Sequence, residues 1–245
     1  HYKAIETELG AHFFHEHRLI CFLSTDDELA AYDKRCKDPV YTPIMQPPPD
    51  LDNLARICDI GRAQFHCQDV GQLDTERFLS AAKQYFNAQQ AYQLATFTYS
   101  DLQLSEDAVT WQGITADYCV FCQGAAASEN PFFSQLNFLN AMGDILELDC
   151  TNIPEQTILN HGKWLCPMGE GRFRYGTTSY WEDNDENRQA STAAIRQGLR
   201  QFLKQPYKEH RVLHGVRPAL KNRQVYADWH PKHPRLGMIT GFGGQ

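Results

Sequence analysis

Arg217 lies in the segment HGVRPAL, with Gly215-Val216 before it and Pro218 after it. A guanidinium is permanently charged and presents its N–H groups as a rigid fork, so it can grip a carboxylate two-pronged. Downstream, the apolar run LGMIT stops on Gly241-Phe242-Gly243-Gly244-Gln245. Glycines behind a strand adopt turns that other residues resist, and they let the main chain approach something flat or anionic. Carboxylate recognition beside a glycine-lined turn is the chemistry these two features share.

Three further segments invite a chemical reading. Thr115 to Ala125 (TADYCVFCQGA) runs as an acidic residue, an apolar strand and a glycine turn at Gly124-Ala125. Trp164-Leu165-Cys166-Pro167, followed by Gly171-Arg172 and Gly176-Thr177-Thr178, reads as a hairpin led by an aromatic side chain. Gly143-Asp144-Ile145-Leu146-Glu147-Leu148 reads as another strand. Metal chemistry fares worse. Cys119 and Cys122 stand three apart on a strand, so their thiols diverge, and no second pair completes a zinc set. His15 and His17 share a strand face with no convincing third ligand, and with His12 they read as surface or satisfied histidines. The acidic run Glu182–Asn187 lacks a calcium loop's glycine (Arg188 stands there) and its closing glutamate (Ala194). It reads as a solvated loop with Asp185 capping the next helix.

Together these motifs resemble the D-amino-acid-oxidase superfamily of FAD-dependent oxidoreductases, which includes glycine oxidase and sarcosine-oxidase-like enzymes. The resemblance is strongest across residues 161–245 and fair across 71–150. It implies that Arg217, in a G-x-R-P position, holds the substrate carboxylate. Trp164 takes the place of the substrate-facing aromatic in a Y-x-x-P…G-R-x-x-x-G-x-T hairpin. Gly124 and Ala125 would sit near the cofactor, with Gln123 replacing the usual alanine. Gly241, Phe242, Gly243, Gly244 and Gln245 would lie against the isoalloxazine. Gly244 stands where some relatives carry a second substrate-binding arginine.

The implied activity is oxidation of the C–N bond of an amino acid or N-substituted glycine, by hydride transfer from the α-carbon to the flavin. Water then hydrolyses the resulting imine. That mechanism assigns no catalytic acid or base to any side chain here. Two alternatives stay open. One is the flavin domain of an enzyme that oxidises a carboxymethylaminomethyl group on a tRNA wobble uridine. The other is a non-catalytic member of the fold. A G-x-G-x-x-G nucleotide fingerprint is absent: Gly169-Glu170-Gly171 has Arg174 at the third glycine's position. The resemblance places the fingerprint upstream of His1, so the chain reads as an internal fragment that also lacks the final helix.

Positioning these residues requires a mixed architecture. A helix over residues 1–9 ends at Gly10. A strand over 17–24, a helix over 26–37, a loop at Pro47-Pro48-Pro49, a strand over 63–70 and a helix from Leu73 follow. From Gln93 the pattern turns to strands, with a hairpin feeding a buried strand that ends at Gly124. GDILELDC, HGKWLCPM and RFRYGTTSY supply three more. A helix then runs to its stop at Pro206, before the closing strands. The expected class is α/β plus α+β: a remnant of a Rossmann-like FAD-binding domain joined to a mixed or antiparallel substrate-binding sheet. The expected divisions are 1–70 (substrate-domain part and linker), 71–140 (FAD-binding part), 141–215 (substrate-binding domain) and 216–245 (return to the FAD-binding domain).

Composition sets the outer limits. The 245 residues are 42% hydrophobic and 22% charged, with net charge −7. That balance, with no basic run, argues against nucleic acid as partner and leaves a small amine or amino acid. No apolar stretch reaches the length of a membrane span. The eight scattered cysteines read as free buried thiols of a reducing cytoplasm.

Overall fold

Alternation in ILELD and RFRYG sends Leu146, Leu148, Phe173 and Tyr175 to one side of a sheet, and all four are fully buried. A computed structural model describes residues 2–48 and 50–244. It divides into two compact units: His1–Leu94, Ile145–Thr177 and Thr192–Leu213 form the first, and Ala95–Asp144, Thr178–Ser191 and His214–Gln245 the second.

The first unit is built on an eight-stranded sheet. In chain order its strands are β1 (Phe14–Leu23), β2 (Met45–Gln46), β3 (Ala63–Leu73), β8 (Ala141–Asp149), β9 (Thr157–Asn160), β10 (Trp164–Gly169), β11 (Arg172–Gly176) and β12 (Lys208–Arg217). Their spatial order is β12-β8-β11-β10-β9-β1-β3-β2. β1 and β9 run parallel, whereas β1–β3, β9–β10, β10–β11 and β8–β11 are antiparallel, so the sheet is mixed. β8 and β12 each continue past the boundary into residues of the second unit.

Helices α1 (Tyr2–Leu9), α2 (Asp26–Cys36), α3 (Asp52–Ile57), α4 (Thr75–Ala88) and α5 (Asp185–Phe202) complete the unit's frame. Apolar residues of α5 at helical spacing (Ile195, Leu199, Phe202) pack with Leu146, Leu165 and Tyr175 into one core. Gly10, with φ +62°, ends α1 as expected. α2 begins at Asp26 as expected, and Thr25 caps it: its side chain accepts from Glu28 N–H, and the Glu28 carboxylate accepts from Thr25 N–H. Asp74 caps α4 by accepting from Arg77 N–H at 3.0 Å.

Several expectations need correction. Asn184, not Asp185, caps α5, accepting from Asn187 N–H at 2.8 Å. α3 went unread because six residues give too little periodicity. The segment 93–98 is not a strand; Phe97 instead stacks on Trp111 at 5.3 Å, so aromatic contact replaces a ladder. Cys36 and Cys122 are exposed rather than buried. Pro49 lies outside the described residues.

The second unit carries two small sheets. One is the antiparallel meander β4 (Leu102–Leu104), β5 (Val109–Trp111) and β6 (Ile114–Ala116). The other sets β13 (Tyr226–Trp229), β14 (Leu236–Thr240) and β7 (Cys119–Phe121) in the order β13-β14-β7. Phe121, Phe133, Leu236 and Met238 bury its core. β7 is not the fully buried strand expected, because Val120 on its other face is 46% exposed.

Two buried titratable groups make stability depend on pH in separate windows. His161 stacks on Phe202 with centroids 3.8 Å apart and shares a 2.9 Å hydrogen bond with the Tyr175 hydroxyl. Burial, then the charge of Lys163, holds its pKa down to about 4, from 6.5. The folded state therefore keeps His161 neutral while the unfolded chain protonates it, and stability falls as pH drops from about 6.5 towards 4. Glu147 acts in the same direction at lower pH. Its hydrogen bond from Arg211, then that from Arg174, holds its carboxyl below the usual range. That stabilisation is present above the unfolded value of about 4.3 and is lost as pH falls through the lower folded value. Melting midpoints recorded from pH 7 to 3 should fall in both windows, and His161→Phe should flatten only the upper one. An unaltered upper slope in His161→Phe would contradict the assignment.

Candidate active site

β7 and β14 are hydrogen-bonded in parallel, with Leu236 opposite Cys119, Gly237 opposite Val120 and Met238 opposite Phe121. Their carboxyl ends therefore lie at one edge of the sheet, and a glycine turn leaves each strand there. In open α/β sheets that edge is where ligands bind. Gly124 follows β7 with φ +58°, and a side chain built on it would meet nothing within 4 Å. The Ala125 carbonyl accepts from Ser128 Oγ at 2.9 Å and Asn140 Nδ2 at 3.1 Å, which fixes the turn.

The turn after β14 is tighter. Gly241 has φ +91°, and a Cβ there would sit 2.7 Å from the Gln224 carbonyl oxygen. Phe242 to Gly244 form one 3-10 turn, from which the Phe242 ring is 59% exposed. Gly243 N–H donates to the Pro218 carbonyl at 2.7 Å. A Cβ on Gly243 would lie 2.7 Å from both Arg217 Cβ and that carbonyl oxygen. Gln245, the last of the expected contacts, lies outside the described residues.

Arg217, the last residue of β12, is thus packed by its own Cβ against the glycine turn. Its Nη2 donates to the Thr178 carbonyl at 3.3 Å and to Ser179 Oγ. Its Nε–H is buried and has no hydrogen-bond partner among the described residues. A buried donor of this kind costs free energy until an acceptor arrives, on the order of 1–3 kcal/mol.

The support behind Arg217 was not foreseen from sequence. Asp144, fully buried on β8, accepts from His214 Nδ1 at 2.8 Å. Asp144 N–H donates to Thr178 Oγ1 at 2.9 Å, and Thr178 Oγ1 shares a 2.5 Å hydrogen bond with Ser191 Oγ. These partners lie 13 to 70 positions apart, and no motif or period links them. The sole hint was the threonine pair in the hairpin motif.

Trp164 belongs to the first unit. It begins β10, opposite Gly176 and Asn160, and is 44% exposed on the side away from the core. Two residues along that face, Cys166 pairs with Arg174, and Arg174 with Glu147. Glu147 takes Arg174 Nε at 3.0 Å and Nη2 at 2.9 Å on one oxygen, and Arg211 Nε at 2.5 Å on the other. The tryptophan face is therefore charged. Burial raises the Cys166 thiol to about 11 and Cys21 to about 12, so neither is a nucleophile at neutral pH. Cys119 is half-buried and Cys122 exposed; among the described residues no cluster of three or more His, Cys, Asp or Glu is arranged to hold a metal.

The chain belongs to the family of FAD dependent oxidoreductases designated DAO, whose model matches residues 1–245. Its fold is similar to that of glycine oxidase from Geobacillus kaustophilus, with TM-score 0.77 and 17% identity, over 98% of this chain and 70% of that one. It is also similar to iminodiacetate oxidase from Chelativorans sp. (TM-score 0.73, 13% identity, 99% of this chain and 72% of that one). A third likeness is L-amino acid deaminase from Proteus vulgaris (TM-score 0.75, 11% identity, 99% and 74%). FAD is the family's cofactor, as expected. No helix among the described residues is long and apolar enough to cross a membrane.

The residues of the second unit fit that cofactor. Open main chain at Gly124 and the exposed ring of Phe242 suit a flat heterocycle, whereas the missing side chains at Gly241 and Gly243 make room for Gln224 and for Arg217 with Pro218.

Proposed function

We propose that this protein oxidises the C–N bond of an amino acid or N-substituted glycine, with Arg217 as the carboxylate clamp. The observation that carries the reading is the buried, unpartnered Nε–H of Arg217 on a residue whose Cβ abuts the Gly243 turn. When bound, FAD supplies the two-electron acceptor for the substrate's α-C–H. The chain's own part is binding and orientation. Thr178 and Ser179 hold Nη2 of the guanidinium, so the group and its unpartnered Nε–H meet an arriving carboxylate in a fixed orientation. We assign Gly124, Ala125 and Gly241 to Gly244 to cofactor contact through their main chain. No side chain is assigned as acid or base.

The test is anaerobic mixing of the whole, flavin-loaded protein with small amino acids and N-substituted glycines. The visible absorbance of the oxidised flavin should bleach with these substrates. It should persist with the same amines lacking a carboxylate. Bleaching that ignores the carboxylate would overturn the reading.

A further inference from the structure

We infer that Ser179 is a second substrate-binding residue, whose hydroxyl donates to the same carboxylate that Arg217 grips. The inference rests on the reading of Arg217 given above. Ser179 Oγ accepts a hydrogen bond from Arg217 Nη2, so its own proton must point elsewhere. Ser179 is exposed, and no other hydrogen-bond partner meets it among the described residues. The donated bond from a cation also polarises the hydroxyl, which strengthens it as a donor in turn.

The hydroxyl is held in place from both sides. Thr178 N–H donates to the Asp144 carbonyl at 3.4 Å, and Asp144 N–H returns to Thr178 Oγ1 at 2.9 Å. On the other flank, Tyr180 and Met142 exchange backbone hydrogen bonds at 3.0 and 2.8 Å. A serine pinned between two such anchors presents its Oγ without further ordering, and preorganisation of that kind favours binding. A carboxylate offers about four lone-pair sites on two oxygens, enough for the unpartnered Arg217 Nε–H and one hydroxyl together. A carboxamide offers one acceptor oxygen and an NH2 that cannot accept, so the pair of residues selects for the acid.

Ser179 could instead serve only as a prop for the guanidinium, and a double-substitution experiment separates the two roles. The probe is acetate, titrated calorimetrically into the whole, FAD-loaded protein. Ser179→Ala should weaken acetate about tenfold, the usual effect of losing a hydrogen bond to a charged group, and Ser179→Thr should restore it. The deciding arm is Ser179→Ala in an Arg217→Lys background, where the nitrogen it would prop is gone. A direct donor still costs several-fold there; no further loss would overturn the inference and leave Ser179 a prop. If Arg217→Lys alone leaves acetate affinity unchanged, the clamp reading itself fails, and the role of Ser179 falls with it.

Discussion

Arg217→Ala is expected to raise the Michaelis constant for carboxylate substrates by roughly 30-fold to 4,000-fold, from the ~2–5 kcal/mol lost when one partner of a buried charge pair is removed. The range reflects how dry the filled site becomes. Retention of FAD should change little, because the contact between the two regions runs through Arg217 Cβ and backbone, which alanine keeps. Arg217→Lys should recover only part of the loss. A point charge cannot reproduce a planar guanidinium held at Nη2 by Thr178 and Ser179, and lysine has no Nε–H at the buried position. Steady-state kinetics with a matched pair of substrates, one acid and one amide, checks this. A Michaelis constant for the acid that stays unchanged in Arg217→Ala would remove the clamp.

Gly243→Ala is the second substitution of large effect, and it should act on cofactor and substrate at once. Its Cβ would lie 2.7 Å from Arg217 Cβ and 2.7 Å from the Pro218 oxygen, and 2.9 Å from Arg217 C. None of these atoms is the loose end of a side chain, so the turn, the strand end or both must move, at about 1–3 kcal/mol. The Gly243–Pro218 hydrogen bond at 2.7 Å leaves no slack for that movement. FAD affinity should fall about tenfold or more, and the Michaelis constant for carboxylates should rise with it. Gly241→Ala makes the internal control. Its forced contacts are with Gln224, Val225 and Tyr226 rather than with Arg217. It should weaken FAD by backbone strain at φ +91° while sparing the carboxylate preference. Equal effects of the two substitutions on that preference would contradict the coupling of Gly243 to Arg217.

Much of the frame was legible because it rests on local rules. Gly10 stops α1, the alternation in RFRYG and ILELD names the core face of β11 and β8, and helical spacing in IRQGLRQF marks the buried side of α5. Where local rules run short, the reading went astray. Phe97 is apolar in a strand-like run, yet aromatic stacking decides its conformation. Asp185 reads as the cap of α5, but the side chain that reaches Asn187 N–H is that of Asn184, one position earlier. The parallel pairing of β7 with β14, which brings Gly124 and Gly241 to one edge, joins strands more than 100 residues apart. The resemblance led to both glycines, but spacing alone could not. Ser179, Asp144 and His214 were invisible for the same reason: each matters through a partner set by sheet register, and register is not written in composition or motif.

The account's central claim is that a carboxylate docks on the Arg217 fork beside the glycine turn at the carboxyl edge of β7 and β14. A crystal structure of the whole protein with FAD and an unreactive carboxylate measures it most directly. The claim predicts the carboxylate oxygens about 3 Å from the Arg217 nitrogens and from Ser179 Oγ, with the flavin ring against the main chain of Gly241 to Gly243. A carboxylate bound elsewhere, with Arg217 Nε still lacking an acceptor, would contradict it.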